Sequence, residues 1–215
     1  MSGVTLEYLL ATGRRRGAAY LVLLDPDRLD LEAIERRAAE CATAGADALL
    51  VGTSLTLLND ATEVYRRVRR SAGIPVITFP GSGSQLSAAA DAVLFLSMIS
   101  SRNPELLIGE HVRTAPALRR MGVEVISTAY VLVESGSLTS VQYMSGSLPI
   151  PRDKTDIAVA HALAAEYIGM RLLYLEAGSG ASQPVPDAMV RDVAQNCRLP
   201  VIGGGGTRDP RPPPP

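Results

Sequence analysis

A carboxylate followed at once by a glycine-rich turn is the feature of this sequence that points most directly to chemistry. Glu176 ends a strand-like stretch and precedes the segment Ala177-Gly178-Ser179-Gly180. Such a turn presents several backbone N–H groups at one point, and with the Ser179 hydroxyl they form a concave site suited to a phosphate. A carboxylate beside an anion is unfavourable unless it handles a proton or a substrate hydroxyl. The pattern therefore indicates a phosphate site with a proton acceptor at its edge.

A second glycine run, residues 203–206, follows the next apolar stretch, residues 199–202. Two consecutive strands that both end in glycine turns predict a phosphate site at the C-terminal rim of a parallel barrel. For either turn alone, tight-turn geometry is an equally good explanation of the glycines. The repetition, together with Glu176, favours the functional interpretation.

Residues with hard oxygen ligands follow the first two predicted strands. Asp25 comes directly after the strand at residues 18–24, and Ser54 follows the strand at residues 46–51. Magnesium is usually held by one or two protein oxygens together with substrate phosphates and water, so this sparse pair is sufficient. The alternative for Asp25 is a helix N-cap or an Asx turn before the proline, and it stays open at this point. Arg152 and Lys154 could meet a diphosphate, but an exposed charged turn is the preferred interpretation of that segment.

Apolar runs of strand length alternate with amphipathic helical stretches along the chain. Repeated strand–helix units with short loops predict a parallel sheet with right-handed crossovers. The predicted class is α/β, a modified TIM (β/α)8 barrel that lacks its eighth β/α unit. Residues 1–206 are assigned to this single domain, and the proline-rich residues 207–215 to a disordered tail. The predicted strands span residues 18–24, 46–51, 75–79, 92–96, 123–133, 171–175 and 200–202.

Composition excludes several other classes of protein. A net charge of -1 over 215 residues argues against nucleic-acid binding, because no excess positive charge is available for phosphate backbones. The two cysteines are far apart and form no CxxC pair, and two histidines are too few for a histidine-rich metal site. No run approaches the ~18 apolar residues of a membrane span, so we expect a cytoplasmic protein without a transmembrane segment.

Four motifs together resemble the geranylgeranylglyceryl phosphate synthases and their bacterial relatives. They are LLDPDR (23–28), LLVGTS (49–54), FPGSGSQLS (79–87) and YLEAGSGA (174–181). Two longer stretches, residues 90–111 and 145–170, extend the similarity to most of residues 17–206. The chain is more similar to the larger, mostly archaeal group of this family than to the short bacterial one.

The resemblance implies a prenyltransferase with a modified TIM barrel. It would join the C3 hydroxyl of sn-glycerol 1-phosphate to a long-chain prenyl diphosphate, typically geranylgeranyl diphosphate, in membrane lipid biosynthesis. By motif, Asp25 and Ser54 would bind Mg²⁺, and Glu176 and Tyr174 would be the catalytic residues, with Glu176 accepting the proton of the attacking hydroxyl. The residues implied in glycerol phosphate binding are Tyr174, Leu175, Glu176, Ala177, Gly178, Ser179, Gly180, Gly205 and Gly206.

The same resemblance implies a homo-oligomer for a full-length chain and transient membrane contact during product release. Family members continue past the glycine run through a helix and an eighth strand, whereas here arginine and proline follow. Two alternatives therefore stay open. One is an inactive, truncated barrel, and the other is a different phosphate-binding TIM-barrel enzyme such as a sugar-phosphate isomerase.

Overall fold

The computed structural model describes residues 3–54 and 61–207, and alternating strands and helices make up most of them. The strands are β1 Leu21–Leu24, β2 Ala48–Val51, β3 Val76–Thr78, β4 Ala92–Ser97, β5 Glu124–Leu132, β6 Leu172–Glu176 and β7 Val201–Gly204. The α-helices are α1 Val4–Arg16, α2 Leu31–Thr43, α3 Ala61–Ala72, α4 Glu110–Met121, α5 Ser140–Ser145, α6 Thr155–Tyr167 and α7 Asp187–Asn196. A short 3₁₀ turn, Gly83–Gln85, follows β3.

Neighbouring strands pair in parallel, and the hydrogen-bonded order follows the sequence from β1 to β7. In-register partners include Leu24 with Val51 and Glu176 with Gly204. Parallel pairing puts the carboxyl ends of neighbouring strands at the same edge, where the loops that follow them meet. The predicted α/β class with seven parallel β/α repeats is confirmed.

The chain divides into two compact units, which are described one at a time. The first contains the residues up to Phe95 together with Glu110–Ile126. In its core, Ile34 and Ala38 of α2 and Val64 and Val68 of α3 are buried in one cluster with Leu49 of β2. These spacings of four place each pair on one helix face, as expected of a helix that covers a sheet.

The second unit contains Leu96–Gly109 and the residues from Ser127 onward. Its helix α6 buries three alanines, Ala158, Ala162 and Ala165, against Leu173 and Leu175 of β6. Small side chains at this helical spacing let the helix axis approach the sheet closely. The alternation of β6 then leaves Tyr174 and Glu176 on the face opposite to these leucines.

The first predicted strand is too long. Residues 18–24 read as a run buried on both faces, but β1 begins only at Leu21, and within it only Leu24 is buried. Helix α1, which the sequence analysis missed, ends at the left-handed Gly17 with φ of 88°, and the following alanines belong to its connection with β1. Asp47 accepts a hydrogen bond from the backbone N–H of Tyr20, and the Tyr20 side chain stays 62% exposed.

Two further predicted boundaries differ from those in the structure. The sequence pattern predicts one helix over residues 105–121, but this stretch begins as a π-helical segment, Glu105–Gly109, before α4. The predicted glycine turn 203–206 is half strand, because Gly203 and Gly204 continue β7 beside Leu175 and Glu176. The short helix α5 was also missed. The tail assigned to residues 207–215 lies, apart from Thr207, outside the described residues.

Candidate active site

Glu176 is the last residue of β6, and its side chain is only 5% exposed. Because side chains alternate along a strand, Glu176 shares a face with Tyr174. On β5, Tyr130 is the register partner of Tyr174, and the two rings stack with centroids 5.7 Å apart and planes at 21°. Two buried aromatic rings therefore form one wall beside the carboxylate.

Two donors satisfy the Glu176 carboxylate. The backbone N–H of Gly178 donates to Oε1 at 2.5 Å, and the Tyr174 hydroxyl donates a second hydrogen bond. Burial raises the pKa of Glu176 from 4.5 to about 7, against the opposing effect of the bonds from Gly178 and Tyr174. A carboxylate with a pKa near neutrality is suited to accept a proton from a substrate hydroxyl.

The two tyrosines do not compete for that role. Burial, followed by the negative charge of Glu176, raises the pKa of both the Tyr130 and the Tyr174 hydroxyl well above the usual value. Both hydroxyls therefore stay protonated at neutral pH. Tyr174 thus acts here as a hydrogen-bond donor to Glu176.

The two glycine turns meet at this carboxylate. A Cβ at Gly205 would lie 2.4 Å from Glu176 Oε1 and 2.6 Å from the Gly178 nitrogen, so only glycine fits there. Gly178 and Gly205 also adopt positive φ angles, 100° and 79°, which favour glycine independently of space. On the other side, a Cβ at Gly178 would contact the side chain of Thr139 at 2.6 Å. The structure therefore brings together the two turns that the sequence pattern identified separately.

The remaining residues predicted for phosphate binding differ in what they expose. The side chains of Leu175 and Ala177 are buried in the apolar core of the second unit, so only their backbone groups are available to a ligand. Ser179 and Gly180 are exposed. Gly206 has φ of 69°, and a Cβ there would contact the backbone of Gln183 at 2.7 Å.

In the first unit, the two predicted metal ligands follow neighbouring strands. Asp25 comes directly after β1, and its carboxylate accepts from the Asp27 N–H at 3.0 Å and from Arg28 Nε at 3.1 Å. The Asx-turn interpretation of Asp25 is thus correct in geometry. Ser54 lies in a bend after β2 and is exposed. The side chain of Asp25 is 29% exposed, and each carboxylate oxygen retains a second lone pair beyond these bonds.

The chemical type of these two donor groups is suited to Mg²⁺. A carboxylate and a hydroxyl are hard oxygen ligands, and two protein oxygens suffice where substrate phosphates and water complete the shell. Among residues 3–54 and 61–207, no group of three or more His, Cys, Asp or Glu side chains is placed to hold a metal by itself. Any divalent ion at Asp25 and Ser54 would therefore depend on ligands brought by the substrate.

Other charged candidates have structural partners. Arg152 Nη1 donates to the carbonyl oxygens of Glu134 at 3.0 Å and Pro184 at 2.8 Å, so it joins two loops. Lys154 lies 3.4 Å from the Asp153 carboxylate in an exposed ion pair.

Sequence reasoning missed Thr139 and Gln85. Thr139 carries no local signal, because its relation to Gly178 depends on β5 pairing with β6. Gln85 lies within the FPGSGSQLS motif, but the motif alone does not say which backbone groups it contacts. Its side-chain amide binds the loops after β2 and β3.

Comparison with known proteins gives a consistent result. The PcrB family matches residues 12–212. A geranylgeranylglyceryl phosphate synthase of Chitinophaga pinensis is 47% identical over 191 residues, which is 89% of this chain and 76% of that protein. The protein of the same name from Korarchaeum cryptofilum is 45% identical over 189 residues, 88% of this chain and 78% of its own.

Solved structures agree. The crystal structure of (S)-3-O-geranylgeranylglyceryl phosphate synthase from Thermoplasma acidophilum in complex with sn-glycerol-1-phosphate superposes with a TM-score of 0.88. It is 35% identical in sequence, and the match covers 97% of this chain and 83% of that one. The wild-type enzyme from Thermoplasma volcanium gives a TM-score of 0.83 at 32% identity, over 89% of this chain and 77% of its own. In the described residues, no helix has the length and apolar character needed to cross a bilayer.

Proposed function

This chain belongs to the PcrB family, and we propose that it is a prenyltransferase that transfers a long prenyl group to sn-glycerol 1-phosphate. The product is an ether-linked prenylglyceryl phosphate, with geranylgeranyl diphosphate as the typical donor. The observation that carries the proposal is the buried carboxylate of Glu176, with its pKa near 7, against two glycine turns. A relative of the same fold binds sn-glycerol 1-phosphate.

In this mechanism the glycerol phosphate binds through backbone groups. The phosphate accepts hydrogen bonds from the N–H groups of Ser179 and Gly180, which are exposed, and of Gly205-Gly206, while the Gly178 N–H stays on Glu176. The C3 hydroxyl of glycerol is then directed at Glu176. Uncharged backbone donors hold the anion without placing beside the carboxylate a cation that would lower the pKa of Glu176.

The chemical step exchanges one C–O bond for another and moves one proton. Glu176 takes the proton of the C3 hydroxyl, the oxygen bonds to C1 of the prenyl group, and the bond between C1 and the diphosphate oxygen breaks. The diphosphate leaves with the electron pair of that bond. A general base of this type typically accelerates a reaction ~10²–10⁴-fold. Tyr174 holds the carboxylate in place by its hydrogen bond.

Asp25 and Ser54 are the residues that would hold Mg²⁺ in this proposal. When bound, the ion neutralises negative charge on the leaving diphosphate. Arg28, now paired with Asp25 at 3.1 Å, is exposed and can turn away at little cost, because exposed ion pairs contribute ~1 kcal/mol or less. The proposal also includes a single incomplete TIM-barrel domain over residues 1–206, a cytoplasmic location, a homo-oligomer and transient membrane contact at product release.

The test is direct synthesis. The chain is incubated with sn-glycerol 1-phosphate and labelled geranylgeranyl diphosphate, with and without Mg²⁺, and the lipid extract is analysed for the ether product. The expected result is a product that depends on Mg²⁺ and forms poorly from sn-glycerol 3-phosphate. Absence of any ether product with prenyl donors of several lengths would overturn the proposal and favour the inactive-barrel alternative. No observation favours a sugar-phosphate isomerase, since the similar proteins named above are all synthases.

A further inference from the structure

Gln85 lies at the end of the 3₁₀ turn after β3, and it is only 5% exposed. Its Oε1 accepts from the backbone N–H of Thr53 at 3.3 Å and of Gly81 at 3.1 Å. Its Nε2 donates to the carbonyl oxygen of Thr53 at 2.9 Å. One side-chain amide therefore satisfies three backbone groups that belong to two different loops.

These two loops approach each other unusually closely. A Cβ at Gly52 would lie 1.7 Å from the carbonyl oxygen of Phe79, and one at Gly81 would lie 2.3 Å from that of Thr53. Without the amide, the Thr53 and Gly81 groups would lose their hydrogen bonds to a side chain that is itself buried, and water would have to replace them.

Glutamine is specifically suited to this position. The amide oxygen has two acceptor sites and the NH₂ group two donors, so it can serve two N–H groups and a carbonyl at once. Methionine has a similar length but supplies neither function, whereas glutamate keeps the acceptors and, when ionised, loses the donor. Substitutions of Gln85 can therefore test the hydrogen bonding of its side chain separately from its size.

We propose that Gln85 is a positioning residue that fixes the turn carrying Ser54, so that the Ser54 hydroxyl is held ready for the magnesium-bound diphosphate. This inference rests on the proposed function. Gln85 itself does not touch the ion or the substrate; it acts through the backbone of Thr53, the residue before Ser54. Its substitution should therefore affect the metal and diphosphate more than the glycerol phosphate.

The first measurement is amide hydrogen exchange, which does not need substrate. In the wild type, the N–H groups of Thr53 and Gly81 are expected to be protected. In Gln85→Met they should exchange about tenfold faster or more, since each loses its acceptor. Exchange at unprotected rates in the wild type would overturn the proposal without reference to any variant.

The second measurement is calorimetric binding of magnesium pyrophosphate, together with steady-state kinetics. Gln85→Met is expected to weaken this binding about tenfold and to raise the KM for Mg²⁺, with the KM for glycerol phosphate unchanged. Gln85→Glu keeps the two acceptors but places a carboxylate oxygen against the carbonyl oxygen of Thr53, so it should also weaken the binding of magnesium pyrophosphate, and it serves if the methionine variant does not fold.

Tyr65→Phe is the matched control. The Tyr65 hydroxyl donates to the carbonyl of Val51 at 3.0 Å, so this variant also breaks a buried hydrogen bond near the end of β2, but not one at Thr53. Equal losses of magnesium pyrophosphate binding in Tyr65→Phe and Gln85→Met would refute a specific role for Gln85. A wild type that binds no magnesium pyrophosphate would instead refute the metal site of the proposed function, and the inference with it.

Discussion

Replacing Glu176 by glutamine should make the chain more stable at alkaline pH while it removes the proton acceptor. Burial raises the pKa of this carboxyl from 4.5 to about 7. The folded chain therefore binds the proton more tightly than the unfolded chain does. Between these two pKa values the folded state carries more protons, so the free energy of unfolding falls as the pH rises through this window. Glutamine does not ionise and is free of this loss.

The magnitude follows from the two pKa values. A shift from 4.5 to about 7 corresponds to ~3 kcal/mol at full ionisation, at 1.36 kcal/mol per unit. Between pH 5 and pH 8 the part that is realised is roughly 2–3 kcal/mol, because the unfolded carboxyl is already partly ionised at pH 5. The free energy of unfolding of Glu176→Gln relative to wild type should therefore rise by this amount between the two pH values.

The assay is urea denaturation of both proteins at half-unit pH steps from 5 to 8. All other titrating groups are common to the two chains, so the difference between their curves isolates Glu176. Glutamine can also still accept from the Gly178 N–H, which keeps the local hydrogen bonding comparable. Parallel stability curves across this range would refute the reasoning, since they would mean that Glu176 titrates near its ordinary pKa in the folded chain.

Four further outcomes are expected. Turnover by Glu176→Gln should fall ~10²–10⁴-fold, whereas its affinity for glycerol phosphate, measured by calorimetry, should be largely retained. Unchanged turnover would show that Glu176 is not the general base. The wild-type kcat/KM should rise with pH through about 7, because only the ionised carboxylate of the free protein accepts a proton. Tyr174→Phe should move this midpoint to higher pH by removing a donor to the carboxylate, and coincident pH–rate profiles of the two proteins would contradict this prediction. Asp25→Asn should weaken magnesium pyrophosphate binding about tenfold, equivalent to ~1.4 kcal/mol, and equal affinities would exclude Asp25 as a ligand. Gly205→Ala should weaken glycerol phosphate binding through the 2.4 Å contact with Glu176, whereas Gly122→Ala, with a similar positive φ of 70° but open space, should lose only stability.

Local sequence patterns gave the order of strands and helices, with errors at the boundaries. Long apolar runs and helical spacing identify β/α units well, because each unit depends on its own residues. They fail where contacts with another segment of the chain determine the backbone conformation. Ala18 and Ala19 are apolar, as residues of a buried strand usually are. They follow Gly17, whose positive φ ends α1, and they therefore lie in the connection between α1 and β1. Gly203 and Gly204 read as a turn, but pairing with Leu175 and Glu176 makes them strand.

The features of the candidate site also fall into two groups, those that the sequence predicts and those that depend on the tertiary structure. The sequence by itself determined which groups are present: a carboxylate before a Gly-Ser-Gly turn, a second glycine run, and oxygen ligands after the first two strands. Residue type and spacing suffice for that, since they are local properties. Only the tertiary structure decided what these groups do. It buries Glu176 between Tyr174 and Gly205 and so raises its pKa to about 7, and it brings Gln85 onto the backbone of Thr53, 32 residues away. Burial and long-range pairing depend on elements far apart in the chain, and no local pattern records them.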